Sequence, residues 1–407
     1  MSCDDLGDVD LGGRTINIAS INRSVYLGEV SVERYVGQTV NGAVYKRNKM
    51  VEDRLNITIN NIIVGEAGAN QYAVIQKVGE HFRAGSHEYD IMVAPVYCTI
   101  MYTGNGYLHN LKKAEALDLT KPYWHQGFNA AASVGDGNQF CATGAVPLRF
   151  YRAIYVTLIN DRVLQDGSKD LDLFKVVNDG DWTLEYQRVL ASKYYDDIGV
   201  QGKDKGDGFG LLTTDYNGVD GYWSSCGITI CEKTDDNYFR YSLNKERLSN
   251  VVDALINMFT AEYTWCEPHD GAHESGNGEW PAIYEKFAEG STLMATIKLE
   301  GVEDSHVQKM KDEYSILPIP KYEKDQEKNN SFTQASFTGS VFGEIAKDAT
   351  TTVRDLKIGA NGAAIKAENV TGSFGFLANT HAGAGSYALV VKETQNANSV
   401  LSRKKDL

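Results

Sequence analysis

The sequence predicts an α/β fold in which helices flank mostly parallel sheets. Two patterns carry that prediction. Strand-like and helix-like segments alternate across residues 14–95, and the strand segments are short aliphatic runs of the kind a covered sheet buries. The chain has 407 residues, 42% of them hydrophobic. At ~150 residues per domain that is room for two or three domains, each with its own core.

Residues 1–13 are acidic and glycine-containing and read as a flexible tether. From Arg14 the chain alternates, with Ile16 and Ile18 on one face of a strand. Val44, Val51 and Leu55 then form a helical stripe within residues 41–56. Ile57 to Val64 reads as a buried strand. Residues 70–84 place Val74, Ile75, Val78 and Phe82 on one helix face, with Gly85 as the stop. Residues 89–95 end this series as an apolar strand closed by Pro95. Ligands of such sheets bind beyond the carboxyl ends of the strands.

Further on, Arg152 to Asn160 reads as a strand leaving a first lobe. A helix opens near Asp181-Trp182-Thr183, capped by Asp181 or Thr183. Helices are also expected over about 244–259 and from Trp280 to Phe287, the latter stopped by Gly290, with a strand over 293–297. After about residue 330 the composition turns to Gly, Ala and Thr. Residues 331–407 show no strong amphipathic pattern.

Charge and motifs exclude several functions. A net charge of −14 disfavours nucleic acid, which requires a basic face, and direct contact with an anionic membrane. No run of 18 apolar residues is present. No G-x-G-x-x-G follows the first strand, and the glycine-rich stretch 202–210 lacks the G-K-[ST] of a phosphate loop, so no cofactor is expected. Asp204 and Asp207 in that stretch fit a plain turn better than a calcium loop. His269 and His273 are surrounded by glycines, with no helix to hold them as metal ligands. The six cysteines form no metal-like cluster, and Cys226 with Cys231 leave a short disulfide loop open as an alternative. Cys3, just ahead of the acidic leader, stands where a bacterial lipoprotein carries its lipid.

Several stretches, in order across residues 14–322, resemble the family 1 extracellular solute-binding proteins. They include Ala84-Gly85 before Tyr89-Asp90-Ile91, and Gly106-Tyr107-Leu108 through Leu111 with Tyr123-Trp124 after it. The strand Ile154-Tyr155 through Asn160-Asp161 and the helix start Asp181-Trp182-Thr183-Leu184 come next. Phe287 through Gly290 to Met294, and Ile316-Leu317-Pro318-Ile319-Pro320, complete the series. The resemblance implies a two-lobe periplasmic-binding-protein-like fold of type II, with mixed sheets flanked by helices and a ligand cleft between lobes. It assigns residues 14–153 and 285–330 to lobe 1 and 154–284 to lobe 2. It leaves 331–407 as an atypical C-terminal segment, because the family ordinarily ends in helices. It also implies a monomer that captures a small ligand, a sugar or oligosaccharide, and delivers it to ABC permease subunits by hinged closure. The chain would then be extracellular and would touch the membrane only through a lipid on Cys3.

A sugar site needs an aromatic face for the C–H surface of a pyranose and polar groups for its hydroxyls. The candidates lie where loops should come after strands. They are Asn22 and Arg23 after the first strand, Tyr97 and Thr99 after the third, and Arg152 and Tyr155 at the crossing strand. Tyr222 and Trp223 in a glycine-flanked loop, and Lys298 and Glu300 after the strand at 293–297, complete the set. Tyr155 fits a core position equally well, and Trp182 and Trp124 fit packing roles better than ligand contact. Two other functions remain open. A glycoside hydrolase needs two carboxylates spaced across a cleft, but no nucleophile motif accompanies the 54 acidic residues. A surface adhesin is the other, suggested by the Gly/Thr/Ala-rich end. A peptide or polyamine remains an alternative ligand.

Overall fold

A computed structural model of the protein describes residues 6–326, apart from 24–26, 36, 38–39, 87, 102–105, 146, 268–269 and 271–278. Of the C-terminal part it describes 340–344, 378–379, 386–387 and 402–403. Cys3, His269 and His273 lie outside the described residues, as does most of the segment 331–407. The chain divides into two units. Unit 1 comprises Met1–Tyr151, Cys231–Tyr241 and Ala335–Leu389; unit 2 comprises Arg152–Ile230, Ser242–Gln334 and Val390–Leu407.

Unit 1 begins β1 (Arg14–Ile21), α1 (Val40–Leu55), β2 (Ile57–Val64), α2 (Ala73–Arg83) and β3 (Ile91–Pro95). This is the alternation expected from sequence. The helices α3 (Val96–Met101), α4 (Gln126–Ala132) and α5 (Leu148–Arg152) come after it. β1 pairs in parallel with both β2 and β3. Val74, Ile75 and Val78 on α2 are buried, and Gly85 follows the helix at φ +68°, a conformation only glycine adopts without strain.

Unit 2 carries β4 (Tyr155–Asn160), α6 (Asp161–Gly167), α7 (Leu173–Asn178), α8 (Leu184–Ala191), β5 (Leu211–Thr214) and α9 (Tyr216–Ser225). The hairpin β6 (Cys231–Lys233) and β7 (Phe239–Tyr241) comes next in the chain but belongs to unit 1. Unit 2 resumes with α10 (Lys245–Phe259), β8 (Thr264–Glu267), α11 (Glu279–Ala288), β9 (Met294–Lys298), α12 (Ser305–Lys309) and β10 (Tyr314–Pro318). The last strands are β11 (Ser340–Glu344), β12 (Ala378–Asn379), β13 (Ser386–Tyr387) and β14 (Ser402–Arg403). Unit 1's sheet runs β11-β3-β1-β2, and unit 2's runs β14-β10-β4-β9-β5-β8. Both are mixed: β11 is antiparallel to β3, and β4 is antiparallel to β9 and β10.

The division differs from the one drawn from sequence. Residues 285–330 lie in unit 2, because β9 and β10 flank β4 and all six residues of β4 are buried between them. Of the atypical tail, β11 extends unit 1's sheet and β14 extends unit 2's. Thr183, not Asp181, caps α8, its side chain accepting the Tyr186 N–H at 3.1 Å. The short disulfide is absent: Cys226 and Cys231 are free thiols, as are Cys141 and Cys266.

The core of unit 2 gathers Val156, Leu158, Leu212, Ile283, Phe287, Ala295 and Ile297 from strands and α11. Burial of their apolar surface drives the packing, at roughly 25 cal/mol per Å². Two of the polar residues inside are well paired. Trp182, fully buried, donates Nε1–H to the Pro318 carbonyl at 2.8 Å. Asp207, also buried, accepts from the backbone of Ile198 and Asp204 and from the Tyr195 hydroxyl. Burial opposes its charge, but these three donors outweigh it and hold the carboxyl below its ordinary range. The Gly-rich stretch is thus a turn knotted around Asp207.

In unit 1 the β6–β7 hairpin is latched to the turn at 133–138. Asn237, at φ +62°, accepts the Gly135 N–H and donates its side-chain amide to the Gly135 carbonyl, both at 3.0 Å. Lys233 Nζ donates to the Ser133 carbonyl and sits 4.2 Å from the centre of the Phe239 ring. Burial, with a smaller contribution from the charge of Lys112, pushes this ammonium down to about 8.

These contacts set two expected outcomes. Trp182→Phe leaves the Pro318 carbonyl without its donor and is expected to cost about 1–3 kcal/mol in urea unfolding. For Lys233, the unfolded chain keeps its proton up to the ordinary 10.5 while the folded chain releases it near 8. The group's contribution therefore rises with pH across that window. The stability difference between the wild type and Lys233→Met, measured by denaturation from pH 8 to 10, should shift toward the wild type as pH increases.

Candidate functional site

The strongest convergence of chemistry lies in unit 2, where β4 begins and β9 ends. Antiparallel pairing sets Tyr155 opposite Lys298. Tyr155 is fully buried, its ring 6.3 Å from that of Trp280 and its hydroxyl 3.5 Å from an Asp220 oxygen. Lys298, 5% exposed, holds Nζ 4.9 Å from the Trp280 ring centre and 3.8 Å from Glu300. Trp280, at the start of α11, is partly buried and stacks on Tyr284 at 6.3 Å. Arg152 pairs with Glu303 at 2.8 Å, and Leu299 N–H bonds the Ile154 carbonyl next to them.

Local sequence explains the closeness. β9 runs straight into a 3₁₀ turn at Leu299–Glu303, which brings Glu300 back beside Lys298. Gly301 permits this, since a Cβ there would stand 2.6 Å from atoms of Tyr284 and Ile297. Gly221 does the same for α9, whose backbone at that point lies where a Cβ would be 2.9 Å from the Cβ of Tyr155. The result is a partly buried aromatic surface ringed by one ammonium and two carboxylates. That arrangement suits a ligand with both an apolar face and hydroxyls.

Four sequence candidates meet here: Arg152, Tyr155, Lys298 and Glu300. Asp220 and Trp280 join them. Trp280 was legible only as a helix start, and Asp220 carried no signal. The other candidates lie elsewhere. Tyr222 and Trp223 are not in a loop but on α9, and Tyr222 is wholly buried. Its hydroxyl bonds Gln187 and Thr296, each at 2.9 Å, so glycines at 218 and 221 mark close helix packing and not a turn. In unit 1, Asn22 organises the loop after β2, accepting from Gly68 and Ala69 and donating to Gly65. Arg23 donates to Gln71 at 3.4 Å. Thr99 is buried within α3, which starts directly after β3, and donates back to the Pro95 carbonyl. The side chain of Tyr97 is outside the described residues. Among the described residues no group of three or more His, Cys, Asp or Glu side chains is placed to hold a metal. No described helix is long and apolar enough to cross a membrane.

With this geometry in place, comparison with known proteins speaks to the fold. No family model matches the chain, and no curated protein matches it. Among solved structures, a sugar transporter protein of Rhizobium etli in an open conformation is 14% identical, with a TM-score of 0.51 over 81% of this chain and 71% of that one. The GacH receptor of Streptomyces glaucescens, solved unliganded and with acarbose, is 13% identical, with a TM-score of 0.49 over 82% and 72%. An ABC substrate-binding protein of Listeria monocytogenes in complex with cycloalternan is 14% identical, with a TM-score of 0.49 over 83% and 72%. The Rhizobium likeness shows the fold: this is an α/β chain of the type II periplasmic-binding-protein-like class, with mixed sheets flanked by helices.

Gly221→Ala tests how tightly the site is built. The added methyl must push against Tyr155, so a loss of about 1–3 kcal/mol is expected in chemical denaturation, as for overpacked cores.

Proposed function

We propose that the protein is an extracellular solute-binding protein of the family 1 type. It captures a carbohydrate, a sugar or oligosaccharide, for an ABC importer and performs no catalysis. The observation that carries this reading is the meeting of Tyr155, Trp280, Lys298, Glu300 and Asp220 at the strand ends of unit 2. In a fold of this class that is the position where ligands are held. The Trp280–Tyr155 surface supplies an apolar face for a pyranose, and Lys298, Glu300 and Asp220 supply partners for its hydroxyls.

The reading extends to closure of the lobes on bound ligand, because a receptor signals its loaded state only if ligand favours one conformer over another. It also includes a monomer, ABC permease subunits as partners, and a lipid on Cys3 as the membrane anchor. An enzyme would have to convert its ligand. The cluster pairs its carboxylates with Lys298 and Tyr155 and offers no nucleophile with an adjacent base.

Thermal shift and calorimetry against a panel of mono- and oligosaccharides test this. Some member should raise the unfolding temperature increasingly with concentration and be recovered unchanged. Trp280→Ala should weaken that binding at least tenfold while leaving the unliganded fold intact. Product formation would mean an enzyme, and no response to any sugar would remove the carbohydrate reading.

A further inference from the structure

Directly behind the ligand cluster, between the sheet of unit 2 and its helices α8 and α9, lies a buried layer that is polar where a core is ordinarily aliphatic. β4 and β9 pair so that Tyr155 stands opposite Lys298, Thr157 opposite Thr296 and Ile159 opposite Met294. Alternation puts these three pairs on one face of the sheet. Helix α9 covers that face, since Tyr222 bonds Thr296 and Gly221 abuts Tyr155. The two threonines are the short step in this row, with larger side chains before and after them. Thr157, Thr296, Gln187 on α8 and Tyr222 on α9 are all 0% exposed.

The hydrogens of these groups can be followed from one to the next. Burial pushes the Tyr222 hydroxyl above its ordinary range, so it keeps its one hydrogen. That hydrogen goes to Gln187 Oε1 at 2.9 Å. The Thr296 hydroxyl, 2.9 Å from the Tyr222 oxygen, is therefore the donor in that contact. It retains lone pairs with which to accept. Two buried donors are without a partner, the Gln187 amide Nε2 and Thr157 Oγ1. Both belong to one short circuit. Gln187 meets Tyr222, Tyr222 meets Thr296, and Thr296 is the cross-strand neighbour of Thr157, with about 5 Å between Cβ atoms. A buried donor left unpaired loses its hydration with nothing gained in exchange.

We propose that one ordered water is built into this layer. It accepts from Gln187 Nε2–H and from the Thr157 hydroxyl and donates to Thr296 Oγ1, about the usual number of bonds for a buried water. The circuit through Thr296, Tyr222, Gln187 and the water then closes with every donor aimed at an acceptor, and such chains strengthen their members. Water is the occupant that fits, because the groups facing it are neutral: two donors and one acceptor, with no charge to hold an ion. It links α8 and α9 to β4 and β9 behind Tyr155 and Lys298. It belongs to the fold and not to the ligand, so the unliganded protein contains it.

Thr157→Val, which keeps the shape and removes the hydroxyl, tests this through the sign of its effect. A hydroxyl with no partner is a burden, and its removal would leave stability unchanged or raise it. A hydroxyl bonded to water contributes, and its removal should raise the unfolding equilibrium constant about fivefold in urea denaturation of the full chain. Oxygen-17 magnetic relaxation dispersion should then register one fewer long-lived water in Thr157→Val and in Gln187→Met than in the wild type. Thr157→Ser, which retains the hydroxyl, should keep that water. The relaxation result for Gln187→Met stands alone if Thr157→Val does not fold. A Thr157→Val protein no less stable than the wild type, an unchanged number of long-lived waters in either variant, or loss of the water from Thr157→Ser would each overturn the proposal.

Discussion

The arrangement of unit 2 rests on the pairing of β4 with a strand on each side. A strand with all six residues buried has no water for its N–H and C=O groups, so both edges must be hydrogen-bonded. β9 and β10 meet that demand, and both run antiparallel to β4. Because pairing fixes register, it also fixes which side chains stand together at the strand ends. Tyr155 faces Lys298 for this reason, and the 3₁₀ turn after β9 then has only one place to deliver Glu300. The cluster is therefore a by-product of backbone saturation, refined by two glycines that let α9 and the turn approach.

The sequence was most informative where one periodicity dominated. Ile16 and Ile18 on β1 and Val74 to Val78 on α2 announce their elements by their spacing, and the aliphatic run of β2 announces a strand, although of its residues only Val64 is buried and Ile63 is exposed, so the expected buried strand is a half-covered one. The reading failed where glycine carried two meanings. Gly218 and Gly221 looked like loop punctuation around Tyr222-Trp223, yet they sit inside α9, where they admit Thr213 and Tyr155. Assigning residues 285–330 to the first lobe failed for another reason. Which sheet a strand joins depends on partners far away in sequence, and β9 and β10 carry no local mark of preferring β4. Of the site, the four residues flanking β4 and β9 were legible from their place beside strands. Trp280 and Asp220 were not, since both lie on helices whose orientation is set by packing.

Buried polar groups show how the same fold tolerates charge. Asp207 stays ionised because three donors converge on it, and Lys286, 1% exposed, reaches Glu289 and Ser291. Trp182 spends its one donor on a proline carbonyl from β10. Trp182 ties a helix start to the sheet, while Asp207 and Lys286 tie loop and helix-end residues to one another, so side-chain hydrogen bonding does for irregular segments what ladder bonds do for strands.

The β6–β7 hairpin has a consequence for how the molecule is made. Its eleven residues, 231–241, lie in the middle of unit 2's stretch of sequence but count as unit 1. A ribosome releasing the chain from its amino end therefore cannot finish the first unit before much of the second has emerged. Nor would one cut in the gene yield two self-sufficient halves. Synthesis of the two units is interleaved, and any attempt to express either alone must transplant or replace this loop.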